Sequence, residues 1–68
     1  MAIGELAKDA GYILPLKVLK SNAGYYIGTV SEFGEPISRE SLEYFSSEDE
    51  ANESLKSGHW TQREQMTF

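Results

Sequence analysis

Residues 12–30 read YILPLKVLKSNAGYYIGTV, and this segment predicts the first two strands of a β-sheet. Branched and aromatic residues dominate both halves, and apolar side chains alternate along the first half as a β-strand requires. Residues 21–24 contain the Asn and Gly that tolerate left-handed backbone angles, which is typical of a turn between antiparallel strands. We therefore expect a hairpin of strands 12–20 and 25–30. Pro15 has no amide hydrogen to donate, so it should lie at an edge or a bulge.

A third strand is predicted after a second turn. Residues 32–36 contain Gly and Pro, and residues 37–45 then resume an extended pattern with many polar positions. The outer face of this strand should therefore remain exposed and acidic. With the hairpin, it completes a three-strand antiparallel meander over residues 12–45.

A helix is predicted over residues 47–57. Ser47 and Glu50 fit a capping box, in which the serine oxygen accepts from an amide three residues on and the glutamate reaches back to the cap amide. Acidic residues in the first turn suit the positive end of the helix dipole. Gly58 is the residue type at which helices commonly end.

The two ends of the chain have weaker patterns. Residues 1–11 have apolar positions at helical spacing, which predicts a short helix or an arm. Residues 59–68 alternate as a fourth strand or an extended arm would. The sequence therefore predicts a single α+β domain over residues 1–68, in which a small β-meander packs against one helix and a C-terminal strand.

The composition restricts how this domain can be stabilised. Its 68 residues provide one core, and the absence of Cys together with a single His excludes disulfides and a structural zinc. Dimerisation is the remaining means of stabilisation, so we expect a homodimer. The lack of Cys also favours a reducing compartment, and we infer the cytoplasm. The sequence has neither a basic leader nor an apolar stretch of membrane-spanning length, so no membrane location is expected.

Charge is distributed unevenly along the chain. The net charge is −5, yet residues 32–53 hold eight acidic residues against Arg39 alone, for a local net charge of −7. A cluster of one sign repels the phosphates of nucleic acids and attracts basic surfaces. Direct nucleic-acid binding is therefore disfavoured, and a basic protein partner is favoured.

This pattern predicts a non-catalytic protein-binding module that presents carboxylates to a basic partner. The candidate partner-binding residues are all acidic: Glu32, Glu35, Glu40, Glu48, Asp49 and Glu53. An aromatic surface around Tyr25 and Trp60 is the alternative. An exposed pair among Tyr25, Phe33, Tyr44 and Trp60 would suit a protein interface, because aromatic residues are enriched at the centres of interfaces. A second hypothesis is a small structural or dimerisation domain whose acids only confer solubility.

Catalytic, cofactor-binding and metal-binding motifs are not apparent. His59 lies beside Trp60, but no motif places a nucleophile next to it. Residues 48–50 lack the alternating ligands and central glycine of a calcium loop. The glycines at 24, 28 and 34 lie in hairpins and not between a strand and a helix, where a phosphate-binding loop would be. We therefore expect no enzyme activity, no cofactor and no metal site.

Several segments resemble small bacterial and mobile-element proteins with a β-β-β-α-β pattern: GYYIGTV at 24–30, SRES at 38–41, YF at 44–45, EA at 50–51 and WTQR at 60–63. At the level of class, a small acidic domain is also similar to phage-encoded inhibitors such as anti-CRISPR proteins, several of which imitate DNA with carboxylates. The β-β-β-α-β pattern itself implies no activity, whereas the class-level similarity implies a phage or mobile-element inhibitor that occupies a basic, nucleic-acid-binding surface of its partner.

Overall fold

Three antiparallel strands and two helices form the fold. The computed structural model describes residues 3–64. The elements follow one another as α1 (Glu5–Asp9), β1 (Lys17–Ser21), β2 (Gly24–Val30), β3 (Pro36–Arg39) and α2 (Glu48–Ser57). The strands lie in the order β1-β2-β3, and both neighbouring pairs are antiparallel. The predicted α+β class and the meander are confirmed.

The hairpin between β1 and β2 closes through a two-residue turn. Ser21 pairs with Gly24, and the register continues to Lys17 opposite Gly28. The Ser21 hydroxyl donates to the Gly24 carbonyl at 3.1 Å and accepts from the Ala23 amide at 3.2 Å. Gly24 has a φ of 129°, which a residue with a side chain rarely adopts, so the predicted turn glycine is required here.

The first strand is shorter than predicted, because β1 begins at Lys17 and not at Tyr12. Residues 12–16 instead contact the N-terminal segment: Pro15 forms an isolated bridge with Ile3, and the Leu14 carbonyl accepts from the Gly4 amide at 3.0 Å. Proline cannot contribute a donor to a continuous ladder, which explains why regular pairing with β2 starts after it.

The third strand also ends early, at Arg39 and not at Phe45. The amides of Glu40 and Ser41 both donate to the Ile27 carbonyl, at 2.8 and 2.9 Å. Two residues therefore face one, as in a β-bulge, and the chain leaves the ladder. It returns once, where Phe45 forms an isolated bridge with Tyr25.

The predicted helix begins and ends where expected. The Ser47 hydroxyl accepts from the Glu50 amide at 3.2 Å, and Gly58 ends α2 with a left-handed φ of 78°. The other half of the capping box differs, since the Glu50 carboxylate accepts from the Ser46 hydroxyl at 2.7 Å. Local signals therefore define α2 well.

The core lies between α2 and the face of the sheet that it covers. Its fully buried members are Ile27 and Ala51, with Phe45 almost as deep. The partly buried side chains packed around them are Leu16, Val18, Tyr25, Leu55 and Trp60. Alternation along β2 places Thr29 on the same face as Ile27. Thr29 lies against Gly4, directly before α1.

The ends of the chain contain less regular structure than predicted. The helix expected over residues 1–11 is reduced to Glu5–Asp9. Within the described part of 59–68, Gln62 forms one isolated bridge with Ser41, so residues 59–64 match the arm and not the strand. Ser41 lies beyond the end of β3 at Arg39, so this bridge adds no fourth strand to the sheet. Residues 1–2 and 65–68 lie outside the described residues.

Candidate functional site

Glu40, predicted to belong to the acidic surface, is completely buried. Its Oε1 accepts from the Leu6 amide at 2.9 Å and from Nε2 of Gln62 at 2.8 Å. Its Oε2 accepts from the Ala7 amide at 3.1 Å and from the Ser38 hydroxyl. One carboxylate therefore joins α1, the end of β3 and the C-terminal segment. The prediction that Glu40 meets a partner at the surface is wrong.

Local sequence makes room for this carboxylate. A Cβ atom on Gly4 would lie 2.7 Å from Oε2 of Glu40 and 2.5 Å from Cγ2 of Thr29, so only glycine allows this close approach. The Thr29 hydroxyl lies 2.7 Å from the Ser38 hydroxyl, which extends the polar network into the sheet. A buried polar network of this kind is stable only when every member has a partner.

The hydrogen bonds keep Glu40 ionised. Burial by itself raises the pKa of Glu40, but the bonds from Ser38, Leu6, Gln62 and Ala7 outweigh it and hold the pKa below its usual value. An ionised carboxylate has about four lone-pair sites, and four donors fill them here. No acceptor capacity remains for a metal ion or a substrate proton. Glu40 is therefore a structural anchor.

Two further acids of the −7 segment also have structural partners. Both oxygens of Glu43 accept from the Thr61 amide at 2.9 Å. Desolvation raises the pKa of Glu43, but these bonds hold it below its usual value. The Glu50 carboxylate is occupied by Ser46, as described above. Part of the acidic segment is thus required by the fold itself.

The other five predicted partner-binding acids are exposed: Glu32, Glu35, Glu48, Asp49 and Glu53. Within residues 3–64, none of their carboxylates accepts a hydrogen bond or forms an ion pair. Hydrogen bonds and ion pairs therefore do not account for these five side chains, although Glu48 and Asp49 lie in the first turn of α2, where carboxylates suit the positive end of the helix dipole.

These five acids form two separate groups. Glu32 and Glu35 lie in the turn that follows β2, whereas Glu48, Asp49 and Glu53 lie on α2; we call the latter group the α2 acidic face. α2 begins shortly after Phe45, which pairs with Tyr25 near the opposite end of β2. A seven-residue strand rises roughly 20 Å, so Glu48 and Asp49 at the start of α2 lie toward the other end of β2 from the turn. The cluster predicted from the sequence also lacks Glu40, which is buried.

The aromatic alternative does not lie freely at the surface. Tyr25 and Trp60 are both half-buried and pack against the core formed by Ile27, Phe45 and Ala51. Nζ of Lys20 lies 5.8 Å from the centre of the Tyr25 ring, which covers part of its outer side. Core packing therefore accounts for most of the area of these two rings.

Two other groups of large apolar side chains are more exposed. At the first, Phe33 in the β2–β3 turn is 83% exposed and Tyr12 is 48% exposed. They line a shallow recess of about 320 Å³ together with Leu14, Ser31 and Glu32. We call Tyr12, Leu14, Phe33 and the flanking Glu32 and Glu35 the turn surface. The signal in the sequence was an aromatic residue inside a turn, between two acids.

The second exposed group is stacked on its neighbours. The Arg39 guanidinium lies 4.7 Å from the centre of the Tyr44 ring, and Tyr44 meets Tyr26 edge-on at 6.1 Å. Nη1 of Arg39 also donates to the Leu42 carbonyl at 3.1 Å. Burial, followed by the nearby Tyr44, raises the pKa of Tyr26, and Arg39 opposes this rise. The guanidinium of Arg39 and the ring of Tyr44 are therefore already in contact with neighbouring residues of the same chain.

Comparisons with models of known protein families, with curated proteins and with solved structures find no match to this chain. Among residues 3–64, no group of His, Cys, Asp or Glu side chains could hold a metal ion. None of the helices in that part of the chain has the length and apolar character needed to cross a membrane.

Proposed function

We propose that the protein is a non-catalytic protein-binding module whose exposed carboxylates recognise a basic surface of a partner protein. The observation that supports this is the division of the acidic segment. Glu40, Glu43 and Glu50 have partners within the fold, whereas the exposed acids have none among the described residues: Glu32, Glu35, Glu48, Asp49 and Glu53.

Electrostatics indicates what these unpaired acids contribute. Carboxylates of one sign on a small domain repel each other and destabilise the compact state slightly. The same field attracts a basic partner and raises the association rate, while charge pairs buried at the interface mainly slow dissociation. Screening shortens the Debye length from about 10 Å at 0.1 M salt to about 3 Å at 1 M, so association should be sensitive to salt.

A basic surface of this kind commonly holds nucleic-acid phosphates. A protein that covers it would compete with the nucleic acid, which is the inhibitor role implied by the resemblance to acidic phage proteins. The rival hypothesis is that the acids only confer solubility, with self-association as the role of the domain.

A charge-neutralisation experiment separates the two hypotheses. The wild-type protein is used to capture partners from host lysate at 50 mM and 500 mM salt, and the association rate of the purified partner is then measured. Two variants neutralise one acidic group each, Glu32→Gln/Glu35→Gln and Asp49→Asn/Glu53→Gln. Asp9→Asn/Glu64→Gln is the matched control, because it removes the same charge from exposed acids outside residues 32–53.

The proposal expects a basic partner. Its association with one of the two double variants of residues 32–53 should be at least tenfold slower than with wild type, and its association with the control variant should change much less. A partner that binds both paired variants and the control equally well would contradict the proposal. So would the absence of any basic protein among those captured.

A further inference from the structure

We infer that the turn surface docks a basic segment of the partner that carries one large apolar side chain. The inference rests on the proposed function, since it names which of the two acidic groups meets the partner and what chemistry the partner presents. Its evidence is the combination of an exposed aromatic side chain, an apolar recess and flanking acids at one end of the sheet.

The apolar part of this surface is unusual for so small a chain. Phe33 is 83% exposed, and Ile13, which lies between Tyr12 and Leu14 in the sequence, is 70% exposed. Burial of a Phe side chain is worth about 1.5–3 kcal/mol, and Phe33 gains little of this in the free protein. Contiguous exposed apolar surface marks interaction sites more often than isolated residues do.

The turn is held in one conformation by its own hydrogen bonds. The Ser31 hydroxyl accepts from the amides of Phe33 and Glu35, both at 3.2 Å. The Ser31 amide donates to the Glu35 carbonyl at 2.8 Å, and the Gly34 amide donates to the Ser31 carbonyl at 2.9 Å. Gly34 has a left-handed φ of 83°. Phe33 is thus presented by an ordered turn, and a partner that binds it pays little ordering entropy.

The opposite wall of the recess is equally fixed. The Tyr12 amide donates to the Ala7 carbonyl at 2.8 Å, and the Leu14 carbonyl accepts from Gly4 at 3.0 Å. Residues 12–14 are therefore tied to the segment that contains α1. The recess lies between two ordered segments of the chain, with Glu32 at its rim.

The charge of the turn surface favours a basic segment as its binding partner. Glu32 and Glu35 are exposed within the turn, and neither carboxylate has a partner among residues 3–64. An apolar side chain flanked by Lys or Arg would fill the recess and pair with these acids at the rim, which matches the usual anatomy of an interface. In a two-fold dimer built on this surface, the same patch on each copy would bring acids of both copies together, and like charges oppose such a contact.

A peptide selection tests the inference. Random 12-residue peptides are displayed and selected on the wild-type protein, and the best binders are synthesised and titrated by calorimetry at 50 mM and 500 mM salt. The variants are Phe33→Ser, Glu32→Gln/Glu35→Gln and Asp49→Asn/Glu53→Gln. Leu42→Ser is the matched control, because Leu42 is a large apolar residue that is 59% exposed outside the turn surface. Since Phe33 is mostly exposed, its Ser variant should melt at the wild-type temperature, and this is measured first.

The expected result is a consensus with one large apolar residue flanked by Lys or Arg. Phe33→Ser should lower the affinity for the titrated peptide at least tenfold. Glu32→Gln/Glu35→Gln should reduce both this affinity and its salt dependence. Leu42→Ser should leave the affinity unchanged.

Four outcomes overturn the inference. They are a consensus without basic residues, equal affinity for wild type and Phe33→Ser, failure to select any peptide, and self-association that Phe33→Ser abolishes. If basic peptides bind and lose affinity only in Asp49→Asn/Glu53→Gln, the docking surface is wrong but the proposed function stands. If a basic partner is captured from lysate and no variant affects it, both are wrong.

Discussion

Replacement of Glu40 by glutamine should strongly destabilise the protein. The substitution preserves the size of the side chain and removes only the charge and one acceptor oxygen. In the wild type, two amides of α1, one hydroxyl and one side-chain amide donate to this carboxylate. The difference in stability between wild type and Glu40→Gln therefore measures what an ionised acceptor contributes at this buried position.

The magnitude follows from the donors. If the glutamine oxygen takes the place of Oε1, Leu6 and Gln62 keep an acceptor, but the new NH2 group faces the Ala7 amide, which then has none. One unsatisfied buried donor costs about 1–3 kcal/mol, and the remaining bonds lose the added strength of a charged acceptor. We expect a total loss of about 2–4 kcal/mol. At about 0.05–0.15 kcal/mol per residue, a chain of 68 residues has only about 3–10 kcal/mol in all.

The stability lost in Glu40→Gln should become smaller as the pH falls. The pKa of Glu40 is lower in the folded protein than in the unfolded chain, so its stabilising contribution is present above the unfolded pKa of about 4.3 and disappears as the pH falls through the folded value. Glutamine does not titrate. The difference between wild type and variant should therefore be constant from pH 7 to about pH 5 and narrow below about pH 4.

Urea denaturation at pH 7, 5, 4 and 3 measures both effects. Trp60, the one tryptophan, packs against the core and reports unfolding by its fluorescence. Glu35→Gln is the control, because its exposed side chain should change stability by no more than about 0.5 kcal/mol. Equal stability of wild type and Glu40→Gln at pH 7 would refute the role of the buried carboxylate. A difference that stays constant down to pH 3 would refute its ionisation.

Three further outcomes are expected. Ser47→Ala should cost about 1 kcal/mol in thermal unfolding, since the Ser47 hydroxyl caps α2 by accepting from the Glu50 amide; a melting temperature equal to that of wild type would show that this bond contributes nothing. Gly4→Ala should cost about 1–3 kcal/mol in urea denaturation, because the added methyl group would overlap Thr29 and Glu40, and an unchanged midpoint would contradict that packing. Sedimentation across a wide concentration range should reveal a homodimer, whereas a monomer that remains folded at low concentration would exclude it.

The elements that sequence predicted best are those set by neighbouring residues. Ser47 and Gly58 bound α2 because capping is a local property of backbone angles and nearby donors. The turn at 21–24 is equally local, and its glycine has the positive φ that the sequence suggested.

The burial of Glu40 could not be predicted in the same way. Its donors on α1 are 33 and 34 residues away in the sequence, and Gln62 is 22 residues away. In the sequence Glu40 resembles the other acids of its segment, and only the bulge opposite Ile27 turns it inward. Counting charges therefore overestimated the acidic surface, because it included Glu40.

The exposed apolar surface was only partly predicted. Phe33 was one of four aromatic residues considered for an interface, and the sequence placed it in a turn, where exposure is the usual outcome. The recess beside it depends on Tyr12 and Leu14, which were expected to belong to a regular strand. Their departure from the ladder at Pro15 is what brings them to the surface.

The carboxylate of Glu40 also affects how α1 exchanges its amide hydrogens with solvent. A five-residue helix has too few internal bonds to persist alone and would normally fray within microseconds or less. The amides of Leu6 and Ala7, however, donate to an acceptor held by β3 and by the C-terminal segment. Both residues are buried, so their amide hydrogens can exchange only when α1 separates from Glu40, and they should exchange more slowly than the exposed amides at the end of α1. The acceptor therefore protects a helix that would be too short to persist alone.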